Sequence, residues 1–560
     1  MRTKARANSH SHRTLWVLLS SGLIFRSVIA YFLPIGFDEA YYFLYSQHLD
    51  WSYFDHPPAV AWSVGAGLWL TGLVTPFTLR LGALGLFTGC LWLLYATARQ
   101  LFGHRTGLLS CAIASLCPLF FLSFGTLAAP DNALMFFWGL TLFLCSQEFF
   151  PTNQQPCYRP SSNLIWISLA VGLACLGKYH GFVLGIGLVG FCAANSKYRS
   201  ALISKWLWLG VVVFAITIFP IFYWNAQHDW ISFRFQLGDR FAEYDPEPSS
   251  YSLGALLGVI GAQIGYLFPS IAFPLWWITL KTFFSQTLQR FTHKKASIDE
   301  ASIDEASIDE ASIDKKRRLY SEKISFILWS GLPIALAFTL IGGATHTFPA
   351  WPAPGLWSLT ILLGVAAADW PRKNVKHWLQ ITAWTIGIFI LFALTHLTLG
   401  TLQKPSDYAL FGGIVAAQDD PSTQLIDVVQ LRKLFSDSVE FQDAIAQSDL
   451  IITREYWLSG YFAMAMPKSV PLATSLPVTS FTIDPRGHAF WFDPSDWIGK
   501  NALLISLADI SQNEFLSEMT PYFETITPLT EIATKRGGED SEIFYLYQAE
   551  SLLKPYPYPY

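Results

Sequence analysis

Apolar runs close to 20 residues long recur through the first 400 residues of this 560-residue chain. A helix needs about that length to cross the hydrocarbon core of a bilayer. The runs fall near 15–34, 77–98, 107–127, 132–149, 163–177, 181–194, 206–223, 253–278, 324–342, 354–368 and 378–397. They predict a polytopic α-helical membrane protein with about eleven transmembrane helices. The tract at 59–74 reads as an interfacial helix or one span more. Composition agrees: 52% of residues are hydrophobic and 14% charged, against about 25% charged in soluble domains. A net charge of −4 suggests no nucleic-acid partner.

Charge orients the spans. With the N-terminus inside, the inner segments hold Arg2, Lys4, Arg6, Arg13, Arg99, Arg105, Arg159, Lys197, Arg199, Lys205, the cluster between Lys281 and Lys323, and Arg372, Lys373 and Lys376. The short outer segments hold Lys178, Arg234 and Arg240. This positive-inside bias predicts a plasma-membrane protein with a cytoplasmic N-terminus and an extracytoplasmic C-terminal part. The basic, apolar N-terminus resembles a signal peptide but lacks a small-residue cleavage site, and it reads as a retained first helix. All seven Cys lie at or before Cys192, so neither a disulfide framework nor a CxxC metal site is implied.

Two regions break the apolar pattern. Residues 296–314 repeat Ala-Ser-Ile-Asp-Glu three times and then Ala-Ser-Ile-Asp, between Lys294-Lys295 and Lys315-Lys316-Arg317-Arg318. A period of five matches neither helix nor strand, so this reads as a disordered acidic repeat in a cytoplasmic loop. From about Thr398 the chain turns acidic, with 10 Lys and Arg against 21 Asp and Glu, a net of −11. Leu450-Ile451-Ile452 and Ala502-Leu503-Leu504-Ile505 read as buried strands, and 455–465 and 511–519 as helices. The division is therefore a multi-spanning domain over 1–400 and a soluble extracytoplasmic α/β domain over 401–560.

Chemistry concentrates in the outer loops. The first runs Gly36-Phe37-Asp38-Glu39-Ala40-Tyr41-Tyr42 and on to Tyr53-Phe54-Asp55-His56-Pro57-Pro58, with no Lys or Arg between Pro34 and Phe77. A carboxylate at Asp38 or Glu39 suits a general base that takes a proton from an acceptor hydroxyl. Tyr41 and Tyr42 suit stacking on a sugar. The bland alternative is a helix start with interfacial aromatics. Lys178, with Tyr179 and His180, suits a lipid phosphate, or else a snorkelling anchor. Arg234 and Arg240 suit phosphate or plain solvation. Asp55 or His56 suits a metal or a phosphate, and Asp55 with His228 is a candidate divalent-metal pair. His346, among Pro349, Trp351, Pro352 and Pro354, marks a cavity rim or a helix break. Arg26, inside the first apolar run, calls for a partner such as Asp131, or for phosphate. No nucleotide-binding glycine loop stands at a strand-to-helix junction.

Together these motifs resemble the GT-C glycosyltransferases of the protein O-mannosyltransferase and aminoarabinose transferase superfamily, that is, glycosyltransferase family 39-like enzymes. The marks are Phe37-Asp38-Glu39-Ala40-Tyr41-Tyr42, Tyr53 to Pro58, Ala129-Pro130-Asp131, Gly177-Lys178-Tyr179, Trp224 to Trp230 and Trp351-Pro352-Ala353-Pro354. The likeness covers residues 15–400. It implies a membrane enzyme that takes a sugar from a polyprenyl-phosphate donor and passes it to an extracytoplasmic acceptor. It also implies Asp38 as acid/base and Lys178 at the donor phosphate. The aminoarabinose branch often carries Glu-Lys before its Pro-Pro, where this chain has Asp55-His56. Two rival readings remain: a transporter or flippase of a lipid-linked sugar, for which Arg26 and Asp131 would be intramembrane charges, and a non-catalytic assembly protein whose acidic tail binds a partner.

Overall fold

The computed structural model describes residues 2–152, 157–240, 251–299, 308–466, 476–507 and 514–560. Its first part is a helical bundle: α1 (Arg2–Phe32), α2 (Phe37–Gln47), α3 (Ala59–Thr71), α4 (Leu81–Phe102), α5 (His104–Leu116), α6 (Pro130–Phe149), α7 (Asn163–Gly177), α8 (Gly181–Ala194), α9 (Lys205–Gln227), α10 (Leu253–Leu267), α11 (Pro269–Asp299), α12 (Ile308–Ile341), α13 (Ala353–Asp369) and α14 (Arg372–Leu399). Among the described residues, five helices are long and apolar enough to cross a membrane, or six if a bent pair counts as one span. The expectation of about eleven also counted apolar helices that prove short, such as α7 with 15 residues and α8 with 14.

Three sequence expectations change. The run at 253–278 is two helices, α10 and α11, bent by 119°. Phe268 sits between them at φ +74°. Pro269 follows, and a residue before proline is pushed out of the helical region. The run at 107–127 stops at Leu116, where Pro118 breaks the α-helix, and continues as a wider π-helical turn, Leu119–Phe124. The acidic repeat was expected to be a disordered loop, yet α11 runs to Asp299 and α12 starts at Ile308. Its Ala and Glu are good helix formers prolonging helices already nucleated. Residues 300–307 of the repeat lie outside the described residues.

The C-terminal part is an α/β domain, as its sequence predicts. It carries α15 (Val428–Asp437), α16 (Val439–Ala446) and α17 (Leu458–Ala465). Its strands are β1 (Leu450–Thr453), β2 (Val478–Ser480), β3 (Ala502–Ser506), β4 (Phe523–Arg536) and β5 (Glu539–Leu552). The sheet order is β2-β1-β3-β5-β4. β1 pairs in parallel with β2 and β3, while β5 runs antiparallel to β3 and β4. The β4–β5 hairpin turns at Gly537 and Gly538, both at positive φ, as a two-residue hairpin turn needs. The helix expected at 455–465 starts at Leu458, and the one expected at 511–519 is described from Glu514 to Met519.

The break near residue 400 does not divide the packing. Ile35, Ala40, Tyr41, Phe43, Val60 and Val64 lie in one apolar cluster with Phe435, Ile451, Tyr461 and Phe462. Tyr461 donates its hydroxyl proton to the Ile35 carbonyl at 2.7 Å, and Arg432 donates to the Val74 carbonyl at 2.8 Å. At Gly460 a Cβ would stand 2.0 Å from the Ala40 carbonyl oxygen, so α17 lies directly on α2. The first loop of the bundle is thereby roofed by the C-terminal domain.

Candidate active site

The site grows from α2. Gly36 is the N-cap, and its N–H donates to Glu39 Oε2 at 3.0 Å. Glu39 is buried and gripped by Arg80 through Nε at 2.8 Å and Nη2 at 2.5 Å. It also accepts the Ala128 N–H at 2.9 Å. Arg80, fully buried, binds the Ala30, Leu33 and Pro34 carbonyls as well. Glu39 therefore ties the end of α1 to the loop before α6 and has no oxygen left for chemistry. This corrects its reading as a catalytic partner of Asp38. Neighbouring residues on a helix point about 100° apart, so Asp38 faces a different space from Glu39.

Asp38 is exposed to solvent although protein surrounds it. Burial pushes its carboxyl above the usual range, while Arg486, Arg240 and Lys178 pull it down. Asp55, 3% exposed, is likewise pushed up by burial and pulled down by Arg486, by its hydrogen bond from Tyr45 and by Arg240. Its carboxylate accepts a hydrogen bond from Tyr45 and lies 3.7 Å from Arg486 Nη1. His56 is buried beside Tyr42, its ring 5.5 Å away. Burial, then Lys178, Arg240 and Arg486, hold it well below its ordinary value, so it is neutral. Its buried Nδ1 has no hydrogen-bond partner among the described residues. Three cations thus act on one set of groups, and they come from the middle of the bundle, from the segment after α9, and from the C-terminal domain.

The loop around Asp55 is clasped from two sides. Pro57 and Pro58 end it and lead into α3, as their rigid φ predicts. Gln236 Nε2 donates to the Asp55 carbonyl at 2.5 Å, Ser232 Oγ to the Tyr53 carbonyl at 3.0 Å, and Arg240 Nη1 to Gln236 Oε1 at 3.2 Å. Arg240 also lies 5.0 Å over the Trp351 ring. From the other side Tyr41 OH accepts the Gly487 N–H at 2.8 Å, and Arg486 sits 4.1 Å over the Tyr456 ring.

Lys178 follows α7 and forms a buried ion pair with Asp131, Nζ to Oδ2 2.9 Å and to Oδ1 3.1 Å. Asp131 thus belongs to Lys178. Arg26 instead donates to Thr88 Oγ1 at 2.9 Å and lies 4.9 Å over the Phe87 ring. Tyr179 packs on Phe233, and the His180 ring stacks on Phe338 at 4.7 Å. Other expected residues stand apart. Arg234 is exposed. His346 is exposed beside Phe348. His228 stacks on Trp224 at 4.0 Å, with Nδ1 2.7 Å from the Trp224 carbonyl. Asp55 and His228 are thus each held by other groups. Among the described residues no group of three or more His, Cys, Asp or Glu could hold a metal ion.

Sequence reading missed Arg80, Arg486 and Tyr456. Arg80 lay inside an apolar run, and the other two lie more than 400 residues after Asp38 with no motif around them.

Residues 55–224 match the family model described as dolichyl-phosphate-mannose-protein mannosyltransferase. That stretch holds Asp55, His56, Asp131 and Lys178 and begins after Asp38. The chain is 25% identical over 346 residues to the lipid A galacturonosyltransferase RgtD of Rhizobium johnstonii, an alignment spanning 60% of this chain and 61% of that relative. The structure superposes on ArnT from Cupriavidus metallidurans bound to undecaprenyl phosphate, with TM-score 0.55 and 16% identity over 95% of this chain and 97% of that one. Against apo ArnT the TM-score is 0.53, at 16% identity and the same coverage. The fold is therefore that of ArnT, in a multi-pass membrane protein.

Proposed function

We propose that the chain is an integral-membrane glycosyltransferase that moves a sugar from a polyprenyl-phosphate donor to an extracytoplasmic acceptor of the cell envelope. The observation that carries this reading is a solvent-accessible Asp38 in the same outer loop as a buried Asp55 that lies 3.7 Å from Arg486 and is clasped through Gln236 by Arg240. An accessible carboxylate can take the proton of an acceptor hydroxyl as its oxygen forms a bond to the anomeric carbon. The bond from that carbon to the donor phosphate breaks, and the phosphate leaves as an anion. Fixed cations around the cavity offset that charge, which is where electrostatic catalysis has most effect. Arg240 is the cation best placed for the leaving phosphate, since Lys178 is already paired. Attack from the face opposite the phosphate makes the transfer inverting. The neutral His56, with an unpartnered ring nitrogen beside Tyr42, suits a sugar hydroxyl.

The relatives support this reading. One is named for galacturonosyl transfer to lipid A, and the other was solved with undecaprenyl phosphate. The intramembrane charges that favoured a transporter have structural partners, Lys178 for Asp131 and Thr88 with Phe87 for Arg26. The test is to present purified protein in lipid with a panel of radiolabelled polyprenyl-phosphate sugars and an extract of envelope acceptors. Label reaching an acceptor supports a transferase and identifies the donor. Lipid-linked sugar crossing vesicles with no acceptor labelled contradicts it.

A further inference from the structure

The segment Asp484–Gly487 of the C-terminal domain lies against α2 and the Asp55 loop of the bundle. Arg486 holds a left-handed backbone, φ +46°, which an arginine adopts at a cost unless its surroundings enforce it. The surroundings do so from both domains. Gly487 N–H is bound by Tyr41 OH of α2. Arg486 Nε is 2.9 Å from Asp484 Oδ2, Nη1 is 3.7 Å from Asp55 Oδ2, and the guanidinium lies over Tyr456. Gly487 itself is tightly enclosed: a Cβ there would stand 2.6 Å from Trp491 and 3.0 Å from Tyr41 OH.

We propose that the C-terminal domain completes the site through Arg486, a positioning residue that holds Asp55 in place and presents its charge to Asp38 when the domain is docked. The inference rests on the transferase reading above and assigns the domain a part in that reaction. The groups facing Asp38 are Arg486, Arg240, Lys178, Glu39 and Asp55, with Tyr42, Tyr456 and Tyr461 alongside. Those facing Arg486 are Tyr456, Asp484, Asp55 and Tyr41, with Asp38, His56 and Tyr560 alongside. Arg486 acts more strongly on Asp38 than either bundle cation does, and it pulls in the direction that keeps a base ionised.

The test uses the full-length protein in lipid, as wild type, Arg486→Gln and Arg486→Lys. The proton affinity of Asp38 is read from its carboxyl infrared band, assigned by difference against Asp38→Asn. The inference expects Arg486→Gln to raise that midpoint and to lower kcat at pH values below it, about tenfold per unit of midpoint shift. Activity should recover as pH rises, KM for the donor should hardly move, and Arg486→Lys should restore most of the wild-type profile. An unchanged midpoint overturns the inference, whether or not the protein transfers sugar. So does a loss confined to the donor's KM. Wild type that transfers nothing refutes the transferase reading, while the infrared midpoint still decides whether Arg486 governs Asp38. Arg486→Lys keeps the charge and tests the same point if Arg486→Gln fails to fold.

Discussion

Asp38 and Glu39 sit side by side in sequence and serve different ends. Glu39 is enclosed by Arg80 and three chain segments, while Asp38 is open to solvent. Removing one partner of a buried ion pair typically costs about 3–5 kcal/mol, so Arg80→Ala should unfold the domain-bearing end of the bundle, read as a lowered melting temperature. Lys178 and Asp131 can be separated by the same logic. Lys178→Ala strands a buried carboxylate and should destabilise, whereas Lys178→Met with Asp131→Leu should recover stability. If Lys178 also serves the donor, the double variant remains inactive; recovery of full transfer would reduce Lys178 to a structural residue. Sequence located Asp38, Asp55, His56 and Lys178 because polar residues stand out between apolar runs. It did not separate Asp38 from Glu39, because adjacency in sequence hides the 100° between their directions. Nor did it find Arg486, since a lone arginine in an acidic tail carries no local signal until the fold brings it to Asp55.

At the scale of elements, the interlock of α2 with α17 joins the two halves. It depends on Gly460, where a Cβ would meet the Ala40 carbonyl at 2.0 Å. Gly460→Ala should part the domain from the bundle. Limited proteolysis would then cut at the α14 junction faster than in wild type, and transfer would fall with it; unchanged protection would contradict the interlock. The long helices were legible because length and hydropathy decide them. The break at Phe268 was less so, because Pro269 marks a boundary without giving its angle. The site-forming turns of α2 and of residues 231–240 escaped span-counting because they are too short to cross a membrane.

For the whole molecule, the domain's stability should depend on pH. His488 is fully buried, donor or acceptor to Ser459 Oγ at 2.8 Å, and burial holds it down to about 3. Between its ordinary value of 6.5 and about 3 the unfolded chain binds a proton there and the folded domain does not. Stability is then full above pH 6.5 and falls as pH drops, by about 2 kcal/mol on reaching pH 5. His488→Gln should flatten that slope in thermal melts of the full chain; an equal slope would assign it to other groups. Asp38 imposes the same direction on catalysis: with its carboxyl raised by burial, transfer should rise with pH through a midpoint above the ordinary carboxylate value of 3.8. The central claim is that this carboxylate takes the acceptor's proton. The direct measurement compares sugar transfer from the polyprenyl-phosphate donor by wild type and Asp38→Asn, both folded and both binding donor. The account predicts that Asp38→Asn binds donor as wild type does and transfers nothing measurable. Near-normal transfer by Asp38→Asn would contradict it.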